Sequence, residues 1–184
     1  MKVYLSLGSN LGDRLENLRG AAGALEERGI RVVRASGLYE TAPVGWQQQP
    51  DFYNAVLEVE AGITLPRLLR LVQEIEQERG GRPEGAGRAR YADVDVLLCG
   101  AVVFSSADLV VPHPRMFERR FVLEPLAELE AGVSDAWGWA LPVGGRPADW
   151  EQQGVRRVAE AEEWLAAASR RGTEVGRCGS LTPP

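Results

Sequence analysis

The sequence has little of the two residue types that most often bind metals or carry catalytic protons. Its 184 residues include two cysteines, Cys99 and Cys178, and one histidine, His113. Two cysteines form no disulfide framework, and they match no zinc spacing. Cys99 follows an apolar segment, so we expect an inert thiol in the core.

Long apolar runs are also missing, and so is an excess of positive charge. No run approaches the roughly 20 residues of a membrane-spanning helix, and the start, MKVYLSLGSN, is too short for a signal peptide. We therefore expect a cytoplasmic protein that contacts no membrane. A net charge of −5 argues against nucleic-acid binding. An anionic small molecule would need local arginines or metal ions.

What is present is a regular alternation of strand and helix patterns. The periodicity predicts the order strand, helix, strand, strand, helix, strand, with Asn10 or Asp13 capping the first helix and Thr64 the second. This order is typical of a ferredoxin-like α+β sandwich, in which helices pack on one face of an antiparallel sheet. C-terminal additions follow, and residues 149–171 have helical composition. We expect one domain over residues 1–171 and a disordered tail over residues 172–184.

The segment RARYADVDVLLCG places two aspartates in a strand pattern. Asp93 and Asp95 project to the same face, while Val94, Val96 and Leu98 are predicted to face the core. The pair is either the solvated face of an edge strand or a site for Mg²⁺, which prefers oxygen ligands.

Arginines surround this pair in the sequence. Arg82, Arg88 and Arg90 precede it in a glycine-rich loop that either binds phosphate or is merely exposed and solubilising. His113 lies in VPHPRMFERRF, where it is either structural or a phosphate contact beside the arginines that follow it. Together these residues suit transfer of a polyphosphate group, in which positioning and charge neutralisation do most of the work.

A strand after the loop TAPVGWQQQPD carries an amide beside an aromatic ring. Asn54 and Phe52 share one face of this strand. Such a pair can read the edge of a flat heterocycle and stack on its plane, or it can be an ordinary strand surface.

These motifs together resemble the 6-hydroxymethyl-7,8-dihydropterin pyrophosphokinase family of folate biosynthesis. RARYADVDVLLCG and LVVPHPRMFERRFVLEPLAEL resemble the family's signature, and YLSLGSNLGDR, SGLYETAPVG and QPDFYNAVLEVE resemble its other blocks in the same order. The resemblance covers roughly residues 1–130 and implies a ferredoxin-like fold. It also implies transfer of pyrophosphate from MgATP to the pterin hydroxymethyl group, with release of AMP. The run GAGRAR departs from the family's usual tryptophan- and proline-containing loop.

The resemblance assigns roles residue by residue. It implies two Mg²⁺ ions held by Asp93 and Asp95, and ATP contacts from Gln73, Glu76, Arg82, Arg90, His113 and Arg119. Arg82, Arg90 and the two aspartates would carry the catalysis. The pterin pocket would comprise Thr41, Pro43, Val44, Phe52, Asn54 and Phe121.

Two rival functions remain open at this point. A different Mg²⁺-dependent nucleotidyl- or phosphoryl-transfer enzyme would use the same aspartates but would not need Asn54 with Phe52 and Phe121. A non-enzymatic ferredoxin-like binding module would not need Asp93 and Asp95 together with His113 and Arg119. We expect a monomer whose partners are ATP and the pterin.

Overall fold

The computed structural model describes residues 1–43, 48–81, 83, 89–130 and 152–165. Its strands and α-helices are β1 (Lys2–Ser9), α1 (Arg14–Glu27), β2 (Arg31–Ala35), β3 (Leu38–Thr41), β4 (Phe52–Glu60), α2 (Leu65–Glu78), β5 (Asp93–Cys99), β6 (Phe104–Ser105), β7 (Val110–Val111), α3 (Arg120–Leu129), β8 (Val155–Ala159) and α4 (Ala161–Leu165). A 3-10 turn, Met116–Glu118, precedes α3. Among these described residues, no helix is both long and apolar enough to cross a membrane.

The main sheet has the strand order β5-β1-β4-β3-β8, and β2 also pairs with β4. Every pairing in it is antiparallel. The order β1-α1-β2/β3-β4-α2-β5 is the split βαβ arrangement, so the predicted ferredoxin-like α+β fold is confirmed. The sequence predicts the second strand over residues 30–40, with a bend near Gly37, and in the structure this segment is divided into β2 and β3 at Ser36 and Gly37.

Local sequence signals explain where the first two helices begin and end. The Asp13 side chain accepts a hydrogen bond from the Glu16 backbone N–H at 3.0 Å, so Asp13 rather than Asn10 caps α1. Gly29 has φ +77°, a conformation that favours glycine and ends the helix. Thr64 occupies the N-cap position of α2 as predicted, but its side chain makes no capping hydrogen bond.

The two faces of the sheet carry different cores. Alternate residues of β1 and β4, among them Leu5, Leu7 and Leu57, pack against α1 and α2 on one face. The opposite face packs against α3 through Tyr4 and Val56. The two helices of the ferredoxin-like unit therefore share one face, and α3 from the C-terminal addition covers part of the other.

A β-bulge changes which face of the sheet the last residues of β5 point to. The register against β1 shifts between Tyr4 and Leu5, because Leu5 pairs with Val96 whereas Tyr4 pairs with Leu98. Val94 and Val96 face the helices α1 and α2 as predicted. Leu98 is buried in a core as predicted, but it does not share the face of Val94 and Val96, because the bulge turns it to the α3 face together with Leu97.

The C-terminal addition is only partly helical. The described part of residues 149–171 contains β8, which pairs with β3, before the short helix α4. The helical prediction for this segment was therefore wrong at residues 155–159. Trp164 in α4 is 1% exposed, and its indole N–H donates to the Ser36 carbonyl at 2.8 Å. The predicted tail over residues 172–184 lies outside the described residues.

Candidate active site

Two carboxylates project from one face of the sheet at the start of β5. The side chains of Asp93 and Asp95 are 28% and 34% exposed. On the neighbouring strand, Gly8 pairs with Asp93 and Ser6 with Asp95. These small partners leave room above the sheet, and both carboxylates line a cavity there.

Each carboxylate is paired with an arginine from a different segment. Arg90, three residues before Asp93, donates to it through Nη1. Arg119, at the turn before α3, has its Nη1 atom 3.2 Å from Oδ2 of Asp95. The Arg119 guanidinium also lies 5.7 Å from the centre of the Phe121 ring, within reach of a cation–π contact.

The acidic groups of the site influence one another. Burial and the nearby Asp95 charge raise the pKa of Asp93. On α2, Glu76 accepts a hydrogen bond from the Val94 backbone N–H at 2.7 Å. Burial, with smaller contributions from both aspartates, raises the pKa of Glu76 to about 7. The raised pKa values show that the ionised forms of these carboxyl groups are disfavoured in this site. A bound cation would stabilise the ionised forms.

The other end of the cavity is aromatic and holds a buried amide. Asn54 is 4% exposed, and its Nδ2 donates to the Thr41 hydroxyl at 2.7 Å. Phe52, on the same strand and face, and Phe121, from α3, line the cavity beside it. A Cβ atom added to Gly8 would lie 3.2 Å from Asn54 Oδ1, so the glycine gives this amide its space.

The aspartate pair and the aromatic residues beside Asn54 line one cavity of about 180 Å³. The cavity is lined by Thr41, Ala42, Gln49, Phe52, Asn54, Arg90, Asp93, Asp95, Arg115, Arg119 and Phe121. Its three arginines outnumber its two aspartates, although the whole chain carries a net charge of −5. The charge of the lining side chains therefore favours an anionic ligand in this cavity.

A second cleft of about 440 Å³ adjoins the first. It is lined by Gln73, Glu76, Gln77, Gly81, Arg90, Ala92 and Asp93. Arg90 and Asp93 line both spaces. Two ligands, one in each space, would therefore meet at this pair.

His113 lies beside the carboxylates but lines neither space. Its backbone N–H donates to the Leu97 carbonyl at 2.9 Å, and its Nδ1 accepts from the Arg115 backbone N–H at 3.2 Å. Burial lowers the pKa of His113, although the Asp95 charge opposes this shift. The imidazole is therefore neutral at pH 7, with its proton on Nε2, where it can donate.

A buried asparagine joins the loops on both sides of the site. Asn10 is 2% exposed, and its Oδ1 accepts from the Arg90 backbone N–H at 2.8 Å. Its Nδ2 donates to Gln49 Oε1 at 3.2 Å and to the Pro50 carbonyl at 3.1 Å. Gln49 lines the first cavity, so one side chain anchors both walls.

The structure brings most of the predicted site residues together. The first cavity is lined by Thr41, Phe52, Asn54, Arg90, Asp93, Asp95, Arg119 and Phe121, and the second cleft by Gln73 and Glu76. Pro43 is described but does not line the cavity, where Ala42 is found instead. Val44 and Arg82 lie outside the described residues.

Several lining or supporting residues were not predicted as site residues from the sequence, among them Gly8, Asn10 and Gln49. Gly8 had a detectable signal, because a glycine inside a strand pattern often marks the close approach of another group. Asn10 and Gln49 had none, since their contact joins segments 39 residues apart.

The donor set fits a hard divalent cation. In the described part of the chain, no group of three or more histidine, cysteine or acidic side chains is arranged so that it could hold a metal ion. Mg²⁺ commonly takes only one or two protein carboxylates and completes its octahedral shell with water and substrate phosphates. Asp93 and Asp95, adjacent and partly exposed, match that requirement, whereas a zinc site would need more protein ligands.

Comparison with known proteins gives consistent matches. The sequence model of the family described as 7,8-dihydro-6-hydroxymethylpterin-pyrophosphokinase (HPPK) matches residues 4–131. A 2-amino-4-hydroxy-6-hydroxymethyldihydropteridine pyrophosphokinase from Bacillus subtilis is 40% identical over 155 residues, covering 84% of this chain and 88% of that protein. A mitochondrial folate synthesis bifunctional protein from Arabidopsis thaliana is 37% identical and covers 99% of this chain, which spans 35% of that protein.

A solved structure shares the fold. A crystal structure of HPPK-DHPS in complex with substrates superposes with a TM-score of 0.50 over 70% of this chain and 40% of that chain. The two sequences are 13% identical, so this likeness concerns the arrangement of strands and helices alone.

Proposed function

The chain belongs to the 7,8-dihydro-6-hydroxymethylpterin-pyrophosphokinase family, and we propose that the cavity beside Asp93 and Asp95 is its active site. Its reaction transfers pyrophosphate from ATP to the hydroxymethyl group of 6-hydroxymethyl-7,8-dihydropterin and releases AMP, a step of folate synthesis. The observation that supports this site most directly is the boundary between the first cavity and the second cleft. Arg90 and Asp93 line both the aromatic cavity and the second cleft.

The pterin occupies the aromatic end of the first cavity. Phe52 and Phe121 offer ring faces for stacking on a flat heterocycle. Because Asn54 donates through Nδ2 to Thr41, the remaining amide atom is an oxygen, which accepts from a ring N–H or amino group. Pro43 and Val44, whose roles the family resemblance implies, follow Thr41 closely in the sequence.

ATP occupies the second cleft, with its phosphates directed at the boundary. Gln73 and Glu76 lie on the α2 side of this cleft, away from the aromatic rings. Arg90 lines both spaces and Arg119 lines the first cavity, and each supplies fixed donors for phosphate oxygens. His113 adds a neutral donor near Asp95. Arg82, which precedes Arg90 in the sequence and which the family resemblance places among the ATP contacts, adds a further positive charge.

Asp93 and Asp95 hold Mg²⁺, for which we propose two ions in the complex with ATP. When bound, the metal neutralises phosphate charge and orients the reacting oxygens. The chain's own contribution is positioning, because the pterin hydroxyl is held in line with the β-phosphorus while the arginines stabilise charge that moves towards AMP.

We propose a monomer as the active unit, as expected from the sequence. From the sequence we propose a cytoplasmic location, although two plant relatives are named as mitochondrial folate synthesis bifunctional proteins.

Product analysis tests the reaction and the site together. The protein is incubated with ATP, Mg²⁺ and 6-hydroxymethyl-7,8-dihydropterin, and the products are identified by mass spectrometry. We expect AMP and a pterin whose mass has increased by a pyrophosphate group, with no product when Mg²⁺ is chelated. Formation of ADP would contradict pyrophosphoryl transfer. Full turnover without divalent metal would contradict the assignment of Asp93 and Asp95.

A further inference from the structure

Gln153, from the C-terminal addition, forms hydrogen bonds with the residues on both sides of Arg119, the arginine that pairs with Asp95. The Gln153 Oε1 atom accepts from the Arg120 backbone N–H at 2.9 Å, and its Nε2 atom donates to the Glu118 carbonyl at 3.0 Å. Its own carbonyl also accepts from Arg120 Nη1 at 3.4 Å. The two side-chain hydrogen bonds thus hold the backbone on either side of Arg119.

This backbone is the junction between the 3-10 turn and α3. Arg119 is the N-cap residue of α3, with φ −111° and ψ 104°, and its side chain makes no capping hydrogen bond. The first N–H groups of a helix have no partner within it. Gln153 supplies that partner from a distant segment, and in doing so it restrains the peptide units from which the Arg119 side chain projects.

Gln153 is itself anchored to the opposite wall of the cavity. The carbonyl of the next residue, Gly154, accepts from the Ala42 backbone N–H at 3.3 Å, and Val155 pairs with Thr41 at the sheet edge. The short segment 153–155 therefore connects the wall that carries Thr41 to the turn that carries Arg119. This segment lies beyond residues 4–131, which the family's sequence model matches.

From this geometry we propose that Gln153 is a positioning residue, which holds the Arg119 guanidinium where the ATP phosphates bind. The inference rests on the proposed function, because it takes Arg119 as a phosphate contact. Gln153 is half-buried, so water can replace both hydrogen bonds when its side chain is removed. Its loss should therefore loosen Arg119 without unfolding the domain.

The test is a double-mutant cycle of Q153A with R119A, with Q152A as the matched control because Gln152 is exposed and adjacent. Steady-state kinetics are measured for ATP and the pterin separately, and each Tm is recorded. We expect Q153A to lower kcat/KM for ATP roughly 10-fold while KM for the pterin stays unchanged, since a small misplacement of a positioning group is costly. In the R119A background, Q153A should then change kcat/KM less than about twofold, because contacts that act through one group are not additive.

Equal losses from Q153A in both backgrounds would overturn the inference, as would a loss from Q152A of the same size. If Q153A lowers Tm markedly, Q153E, which keeps the acceptor for the Arg120 N–H, replaces it in the cycle with the same expected coupling. Full activity of R119A would contradict the proposed role of Arg119 as a phosphate contact and, with it, the positioning role of Gln153, while leaving the proposed reaction standing. Impaired R119A with unimpaired Q153A would overturn the positioning role alone.

Discussion

The Nη1 atom of Arg119 lies 3.2 Å from Oδ2 of Asp95, and this ion pair joins the turn before α3 to the strand β5. Arg90 forms the equivalent pair with Asp93. Both proposed phosphate-binding arginines are therefore held by the two proposed metal ligands. Binding of ATP with Mg²⁺ would exchange these partners, since phosphates take the arginines and the cation takes the carboxylates. No charge is left unpaired by such an exchange, which avoids a large electrostatic cost.

Replacing Asp95 with asparagine should separate metal binding from nucleotide binding. We expect D95N to lose at least about 100-fold in kcat, because it removes a metal ligand and charge stabilisation at the reacting group. The same change releases Arg119 from its ion pair, so D95N should bind metal-free ATP more tightly than the wild type does. Calorimetry with EDTA present checks this, with E27Q as a control at an exposed carboxylate. Weaker metal-free binding by D95N would contradict the exchange.

Removing the Asn54 amide should affect the pterin and spare the nucleotide. We expect N54A to weaken pterin binding roughly 10- to 100-fold, because a buried polar contact with the ligand is lost. T41V is the matched variant, since it removes only the hydroxyl that accepts from Asn54 Nδ2 and should have a smaller effect of the same kind. Fluorescence titration with pterin and calorimetry with an ATP analogue separate the two affinities. A larger loss for ATP than for pterin would mean that the pocket is misplaced.

The raised pKa of Glu76 makes stability depend on pH. A carboxyl whose pKa rises from 4.5 to about 7 on folding binds its proton more tightly in the folded state. Its contribution to stability is therefore present below pH 4.5 and is lost as the pH rises through about 7. E76Q has no such charge and keeps an acceptor for the Val94 N–H. Without divalent metal, we expect its Tm to exceed that of the wild type at about pH 8 by roughly 2–4 °C, from about 1 kcal/mol after allowance for partial exposure.

The matched control for this measurement is E74Q, on an exposed position of the same helix. Its Tm should differ little from that of the wild type at either pH. An advantage of E76Q that is as large at about pH 4 as at about pH 8 would exclude ionisation as the cause.

Trp164 should anchor the C-terminal addition to the core. We expect W164A to lower the free energy of unfolding by about 3–5 kcal/mol, because it leaves a cavity in packed surroundings. W164F should cost about 1–3 kcal/mol, since it keeps most of the apolar contact but leaves the Ser36 carbonyl without its donor. Urea unfolding measures both values. Losses below about 1 kcal/mol for W164A would mean that this segment stabilises the fold little.

Sequence periodicity predicted those parts of the fold that depend on neighbouring residues. The alternation in β4 and the apolar stripe of α2 follow from local spacing, and Asp13 capped α1 because its partner is three residues away. The strand β8 was missed since it forms only by pairing with β3, more than 100 residues earlier. The facing of Leu98 was missed because a bulge depends on the register between two strands.

In the candidate site, too, local features could be predicted from the sequence and contacts between distant segments could not. The aspartate pair could be recognised as a candidate from a spacing of two residues, and the family resemblance supplied most of the remaining lining residues. The hydrogen bonds of Gln153 on either side of Arg119 could not be predicted, because Gln153 contacts Glu118 and Arg120 only after the chain has folded. The pairing of each aspartate with its own arginine likewise required the geometry.

Alternate residues of β4 point to opposite faces of the sheet, so mutations at neighbouring positions should affect different properties of the protein. Ala55, Leu57 and Val59 face the core beneath α1 and α2, whereas Phe52 and Asn54 face the cavity. In a saturation scan of this strand, odd-numbered positions would lose abundance and the first two even-numbered positions would lose turnover. On a single strand, the proposed substrate contacts could thus change without disturbing the residues that face the core beneath α1 and α2.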